Sequence, residues 1–110
     1  MATLTVVQSD NNGEAFTWAS IAAGGDQFIN NGRTLVLFQN TGGSSTVATF
    51  DSPALVNGLT LENPAVTIAA GAYRTVGPFD PAIFNTAAGV TTITYSGAGI
   101  ADTNVAVISA

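Results

Sequence analysis

The sequence of this 110-residue chain contains no histidine, no cysteine and no lysine, and its only basic side chains are those of Arg33 and Arg74. Histidine is the usual proton carrier near neutral pH, and histidine and cysteine supply most transition-metal ligands. The chain therefore has no residues for nucleophile–histidine catalysis, zinc binding or thiol chemistry. The sequence predicts a structural or binding protein rather than an enzyme, with no metal and no cofactor.

Charge is scarce as well. Charged residues make up 8% of the chain, and the formal net charge is −5, whereas about 25% of residues are charged in typical soluble domains. Two cations are too few to neutralise the phosphates that a nucleic-acid-binding protein contacts, and they give no attraction to an anionic membrane. The polar surface must consist mainly of Thr, Ser, Asn and Gln side chains. We expect neither nucleic acid nor membrane as a partner, but a lasting contact with protein.

The size and hydrophobic content fit one folded domain. A chain of 110 residues with 46% hydrophobic residues can bury a core but is too short for two domains. Residues 1–4 lack the basic start of a signal peptide, and no apolar run reaches the ~20 residues of a membrane-spanning helix. We expect a single soluble domain over residues 1–110, in which residues 1–10 form either a first strand or an extended N-terminal arm.

Short β-prone runs alternate with Gly- and Asn-rich turns along the whole sequence. Residues 34–39 are apolar on both faces, which predicts a central strand, and residues 45–50 alternate with Thr46, Ala48 and Phe50 on one face. The turn residues between the two runs predict a hairpin. Roughly eight such strands at a spacing of about 8–12 residues predict an all-β fold, an antiparallel sandwich or barrel.

The last third of the chain contains one helical signal and a further strand. Asp80 and Pro81 suit the N-cap and the first position of a helical turn, which Gly89 would end. An alternating strand is predicted at residues 90–95, with one face formed by Thr91, Ile93 and Tyr95.

Three weaker patterns offer ligand chemistry. Residues 9–14 combine oxygen-bearing side chains with a turn glycine, as calcium loops do, but lack the closing glutamate and the helical flanks of an EF-hand. Trp18, Tyr73 and Tyr95 form either an aromatic platform for a sugar ring or part of the core. A carboxylate-only hydrolase would need two acids to converge, and all seven are expected in surface turns or at strand ends: Asp10, Glu14, Asp26, Asp51, Glu62, Asp80 and Asp102.

Arg33 and Arg74 are the two cations among these seven acids. A guanidinium has five donors and binds either a carboxylate or the carbonyl oxygens of a loop. Asp26 is near Arg33 in sequence, and Asp80 is near Arg74. We expect each arginine to act as a structural clamp at a sheet end.

Two long segments, residues 24–42 and 66–79, and the late runs 94–96 and 105–108 carry a family resemblance. Their pattern of strands and turns resembles small virion proteins of tailed bacteriophages, and among these the capsid decoration, or cement, proteins. The resemblance implies a jelly-roll-like β-sandwich that is made in the host cytoplasm and sits on the outside of an icosahedral shell. It also implies a homotrimer that binds the major capsid protein and bridges neighbouring capsomers.

In that interpretation the N-terminal residues make the contact. Leu4 and Val6 alternate on one face, with Val7 next to them, and we expect this segment either to dock on the shell or to complete the sheet of a neighbouring subunit. An ordinary first strand in the chain's own sheet is the alternative. The competing function is a carbohydrate- or receptor-binding module of a tail fibre or a lectin-like protein. An exposed Trp18 or an exposed tyrosine would favour it, and burial of Trp18, Tyr73 and Tyr95 would count against it.

Overall fold

The computed structural model describes residues 2–8, 13, 15–53, 55–56, 58–60 and 63–109. Two short helical segments occur in this part of the chain, the α-helix α1 (Pro81–Phe84) and a 3₁₀ turn (Ile100–Asp102). The other regular segments are strands, in the order β1 (Ala2–Thr3), β2 (Val6–Gln8), β3 (Ala19–Ser20), β4 (Asp26–Ile29), β5 (Thr34–Asn40), β6 (Thr46–Phe50), β7 (Leu55–Val56), β8 (Leu59–Thr60), β9 (Ala65–Ile68), β10 (Tyr73–Val76), β11 (Val90–Ser96) and β12 (Thr103–Ser109).

The strands form two main sheets that pack as a sandwich. The first sheet has the order β1–β4–β11–β6–β9. The second has the order β10–β5–β12–β2, and β3 also pairs with β12. The short strands β7 and β8 pair only with each other in the described part of the chain.

Eight of these strands are nested as four antiparallel pairs. β6 pairs with β9, β5 with β10, β4 with β11 and β3 with β12. Successive pairs alternate between the two sheets, as they do when one long hairpin is wrapped around a core. This is the jelly-roll arrangement, so the predicted all-β, antiparallel, jelly-roll-like sandwich is confirmed.

The predicted hairpin between β5 and β6 is wrong. β5 lies between β10 and β12 in the second sheet, which confirms its central position, but β6 lies between β11 and β9 in the first. The connection crosses the sandwich, and the buried Asn40 side chain holds the corner. Its Nδ2 donates to the carbonyl oxygens of Ser44 (2.7 Å) and Ile68 (3.1 Å), and its Oδ1 accepts from the Gly42 N–H (3.0 Å).

The core between the sheets is rich in phenylalanine. Phe28, Phe38 and Phe50 are fully buried, and Phe79 joins them from the segment that precedes α1. The ring centroids of Phe50 and Phe79 are 4.7 Å apart, and those of Phe38 and Phe50 are 6.2 Å apart. The predicted inward faces of the alternating strands are confirmed, because the following residues are buried: Thr46, Ala48, Phe50, Thr91 and Ile93.

The helical turn begins as predicted and ends earlier than predicted. Asp80 is the N-cap of α1 and Pro81 its first residue. The helix stops before Asn85, well short of Gly89, because the Asn85 backbone is extended and its side-chain amide donates to the Asn30 carbonyl at 3.0 Å. No helix among the described residues is long and apolar enough to cross a bilayer.

Candidate functional site

Residues 2–8, which we name the strap, run along one side of the sandwich and connect its two sheets. β1 pairs in parallel with β4, and β2 pairs in parallel with β12. Between these strands the Leu4 N–H donates to the Gln27 carbonyl at 2.8 Å. The strap therefore covers the β4 edge of the first sheet and then part of the β12 edge of the second.

The side chains of the strap alternate in their surroundings. Leu4 and Val6 are half-buried and pack against the core, whereas Thr3 and Thr5 are exposed and Val7 is half-buried. Leu4 and Val6, two of the three residues predicted to contact a partner, thus contact the chain's own core. Val7, the third, follows Val6 on the strand and is half-buried. The structure places the strap as two short strands in the chain's own sheets.

Two recesses in the surface flank the strap. The first, of about 340 Å³, lies between strap residues 3–5, residues 17–20 and residues 105–107 of β12. The second, of about 370 Å³, is bounded by the strap together with Ile29 and Ser109. None of the described residues that line either recess carries a charge. The strap therefore lies between two recesses whose described lining is uncharged.

An exposed isoleucine lies beside the strap. Ile29, the last residue of β4, is 64% exposed, although Asp26 and Phe28 on the same strand are fully buried. The period-two alternation of a strand explains the difference, because residues that follow inward-facing ones point outward. Ile29 is not among the site residues predicted from the sequence. An apolar residue on the outward side of an alternating strand is the signal that would have found it.

The three aromatic residues considered as a sugar platform lie apart. Trp18 is half-buried in the first recess, with its ring centroid 5.5 Å from that of Phe16 in an edge-on arrangement. Tyr73 is 66% exposed on β10, at the far edge of the second sheet, and Tyr95 packs against the core. A platform shared by all three is wrong. Trp18 alone lies beside the strap, and its indole N–H has no hydrogen-bond partner among the described residues.

Asp26 is a fully buried acid, and its prediction as a surface residue is wrong. Its Oδ2 accepts from the Tyr95 hydroxyl at 2.7 Å and from the Ala22 N–H at 3.3 Å, while its Oδ1 has no donor among the described residues. Burial, reinforced by the hydrogen bond to Asp26, raises the pKa of Tyr95. The hydroxyl therefore keeps its proton, and its hydrogen bond replaces part of the hydration that the carboxylate loses.

The two arginines lie away from the acids that are near them in sequence. Arg33 is exposed in the turn before β5, and its side chain forms no ion pair within the described part of the chain. The Nε of Arg74 donates to the Thr67 carbonyl at 3.4 Å, which links β10 to β9 on the side of the sandwich opposite the strap. Asp26 instead accepts a hydrogen bond from Tyr95, and Asp80 caps α1.

Acidic metal sites were the remaining candidates. No group of three or more His, Cys, Asp or Glu side chains that could hold a metal ion occurs among the residues that the structure describes. Of the calcium-loop candidate at residues 9–14, the structure describes only Gly13. Asp10, Glu14 and Glu62 also lie outside the described residues.

The structure thus brings together the strap, Ile29 and Trp18 on one side of a jelly roll, beside two recesses whose described lining carries no charge. The Tyr95–Asp26 pair lies beneath this side, since Asp26 pairs with Ala2 of the strap across the sheet. Comparisons of the chain with models of protein families, with curated proteins and with solved structures found no match.

Proposed function

We propose that this protein is a structural protein of a phage virion. It binds the outer surface of an icosahedral capsid as a trimer, contacts the major capsid protein and stabilises the shell by bridging capsomers. The resemblance of residues 24–42 and 66–79 to capsid decoration proteins is one support. The observation that carries the proposal is the indented surface formed by the strap, Ile29 and Trp18, whose described recess-lining residues carry no charge.

A surface of this kind suits a lasting contact with another protein. The described residues that line its recesses include no ion that would lose hydration when the surface is covered, and the exposed Ile29 contributes apolar area. The two recesses on either side of the strap can accept side chains of a partner, as pockets at protein interfaces do. A protein that binds only the assembled shell lowers the free energy of that state by mass action.

The proposed role is non-catalytic. The chain has no histidine and no cysteine, and two of its acids have structural partners. Asp26 accepts a hydrogen bond from Tyr95 in the interior, and Asp80 caps α1. The protein thus acts through the shape of its surface.

Quantitative co-sedimentation with purified particles from the source tests the proposal. The measurement is the number of copies per particle. A number close to the number of capsomers, or a small multiple of it, supports decoration of the head. A handful of copies would place the protein in the tail or neck, and absence from the particles would overturn the proposal.

A matched pair of variants locates the contact. Ile29 beside the strap and Leu59 on β8 are both exposed aliphatic residues, at 64% and 71%. We expect Ile29→Glu to weaken binding to particles at least tenfold, or about 1.4 kcal/mol, and Leu59→Glu to leave it unchanged. Circular dichroism checks that both variants keep the fold. The reverse pattern would place the contact at the β7–β8 hairpin and not at the strap side.

A second candidate function is favoured by one observation, the half-buried Trp18 indole whose N–H has no partner among the described residues. It lines the first recess with Thr17 and Ser20, and aromatic rings beside hydroxyl groups suit a neutral sugar. Trp18 is the only tryptophan, so its fluorescence reports on this recess. A saturable change with a neutral oligosaccharide, and none with glycerol at equal concentration, would support a carbohydrate-binding module.

A further inference from the structure

The strap is an addition to a fold that is already complete. The eight nested strands make the jelly roll without it, and every pairing among them is antiparallel. Among the pairings that the structure describes, only the two that the strap makes are parallel. The strap therefore occupies the edges of β4 and β12 without being required by the topology of the sandwich.

Few contacts hold the strap in place. Leu4 and Val6 are only half-buried. Among the described residues, the strap's hydrogen bonds outside the short strand ladders run from the Leu4 N–H to Gln27 and from the Gln27 side chain to the Thr3 hydroxyl at 3.0 Å. Open recesses remain on both sides of the segment. All of these contacts are made between the strap and the edges of β4 and β12. Every copy of the chain has the same strap and the same edges, so a strap from another copy could make the same contacts.

We propose that the strap is exchanged between subunits, so that residues 2–8 of one chain lie on the β4 and β12 edges of the next. The inference rests on the trimer of the proposed function. Exchange of an identical segment is a low-cost route to oligomers, because each subunit regains the contacts it gives up. In a trimer the exchange runs head to tail and closes as a ring, so all three pairs of edges are filled.

The length of chain that follows the strap allows this exchange. Residues 9–18 separate β2 from β3, and ten residues span at most roughly 33 Å when extended. The domain has a radius of gyration of 13.8 Å and is 20 Å thick along its shortest axis. A strap can therefore reach the edges of a neighbour across this shortest dimension, although not across the other two, which measure 42 and 37 Å.

Disulfide trapping distinguishes exchange from a strap that stays in its own subunit. Thr3 and Gln27 are partners across β1 and β4, their side chains are hydrogen-bonded, and the chain has no cysteine of its own. We expect the oxidised Thr3→Cys/Gln27→Cys double variant to run at three times the mass of one chain on a non-reducing denaturing gel. Reduction should return it to the mass of a single chain.

A matched control uses a pair that lies wholly within the jelly roll. Tyr73 on β10 and Gln39 on β5 are cross-strand partners with side chains 3.4 Å apart. The oxidised Gln39→Cys/Tyr73→Cys variant should run as a single chain. A second test mixes separately purified Thr3→Cys and Gln27→Cys single variants, unfolds and refolds them together, and looks for a disulfide between one chain of each kind.

The outcomes separate the inference from the proposed function. A native trimer whose Thr3→Cys/Gln27→Cys variant runs as a single chain would overturn strap exchange and leave the trimer in place. A native monomer would overturn both the exchange and the trimer. Binding to particles is judged independently by co-sedimentation, so failure of strap exchange does not decide whether the protein decorates a capsid.

Discussion

The two sheets end in edge strands on two opposite sides of the sandwich, and these edges are covered in different ways. On one side the strap covers the β4 edge and part of the β12 edge, and the described residues that line the recesses beside it are uncharged. On the other side β9 and β10 are the edge strands, and most of their residues are exposed. There the Arg74 guanidinium bonds to the Thr67 carbonyl and lies across the gap between the two sheets.

The two sides thus differ in what limits further strand pairing at their edges. A bare edge strand presents free backbone N–H and C=O groups to any other strand, and a charged side chain on it discourages such pairing. Arg74 places a charge of this kind on β10. On the strap side the described residues that line the recesses carry no such charge, and a strand of the chain covers the edge instead.

The largest effect is expected from a core residue that serves both sides. Phe50 is fully buried and contacts Phe38 and Phe79. Phe50→Ala should lower the free energy of unfolding by about 3–5 kcal/mol, as measured by urea denaturation. Hydrogen exchange should show protection lost equally at the strap and at β9–β10. Loss on one side alone would mean that the two sides unfold as separate units.

The next effect separates the two tyrosines, one on each side. Tyr95→Phe removes the hydroxyl that donates to the buried Asp26 and should cost about 1–3 kcal/mol of unfolding free energy. Tyr73→Phe on the β9–β10 side removes only an exposed 3.4 Å bond with Gln39, so its cost should stay within about 0.5 kcal/mol. Equal losses in thermal or urea unfolding would contradict the assigned role of Asp26 and Tyr95.

The same pair predicts a dependence on alkaline pH. The folded state raises the pKa of Tyr95, so above the ordinary tyrosine value near 10 the unfolded chain releases a proton that the folded chain keeps. Stability is then fully present below pH ~10 and falls above it by about 1.4 kcal/mol per pH unit. The chain has no lysine or cysteine to titrate in this range. Urea midpoints at several alkaline pH values measure the slope, and Tyr95→Phe should abolish it.

A smaller effect tests the strap alone. Leu4 is half-buried, so Leu4→Ala should cost about 1 kcal/mol, less than a fully buried leucine would. Amide protons of β2 and of the β12 edge should exchange faster with solvent, whereas those of β9 and β10 should keep their rates. The comparison is made at a fixed protein concentration, because oligomerisation also changes stability. Faster exchange at β9 and β10 would show that the strap supports the whole sandwich.

The smallest effect on stability is expected at Arg74, because its side chain is exposed. Arg74→Ala should change the free energy of unfolding by about 0.5 kcal/mol or less. If its charge guards the β9–β10 edge, however, the variant should aggregate faster at high concentration, as followed by light scattering. Arg74→Lys keeps the charge and serves as the control. Equal aggregation of the two variants would remove the protective role.

Local features of the fold could be predicted from sequence. The central position of β5, the inward face of β6 and the Asp80 cap each depend on residues that are close together in the chain. The path from β5 to β6 could not. Gly- and Asn-rich turns suit a hairpin and a crossing between sheets equally well, and the crossing is held by the Asn40 bond to Ile68, 28 residues away.

The candidate site was less accessible to sequence reasoning. Asp26 follows two glycines and reads as a turn residue, but the donor that makes its burial tolerable, Tyr95, lies 69 residues along the chain. Leu4 and Val6 were found by their alternation, yet alternation does not say which sheet they cover. Parallel pairing with β4 and β12 leaves no local turn signal, because such partners are joined by long connections.

The nested pairing also sets the order in which this chain can fold. β12 pairs with β2, β3 and β5. Val6 and Val107 are cross-strand partners, although about nine-tenths of the chain length separates them in sequence. Contacts so distant in sequence form late, since the entropy of closing a long loop must be overcome first. During synthesis the second sheet lacks β12, which lies between β5 and β2, until residues 103–109 leave the ribosome. A chain interrupted before that point holds β5 with one long edge bare, and is therefore a species that chaperones would have to shield.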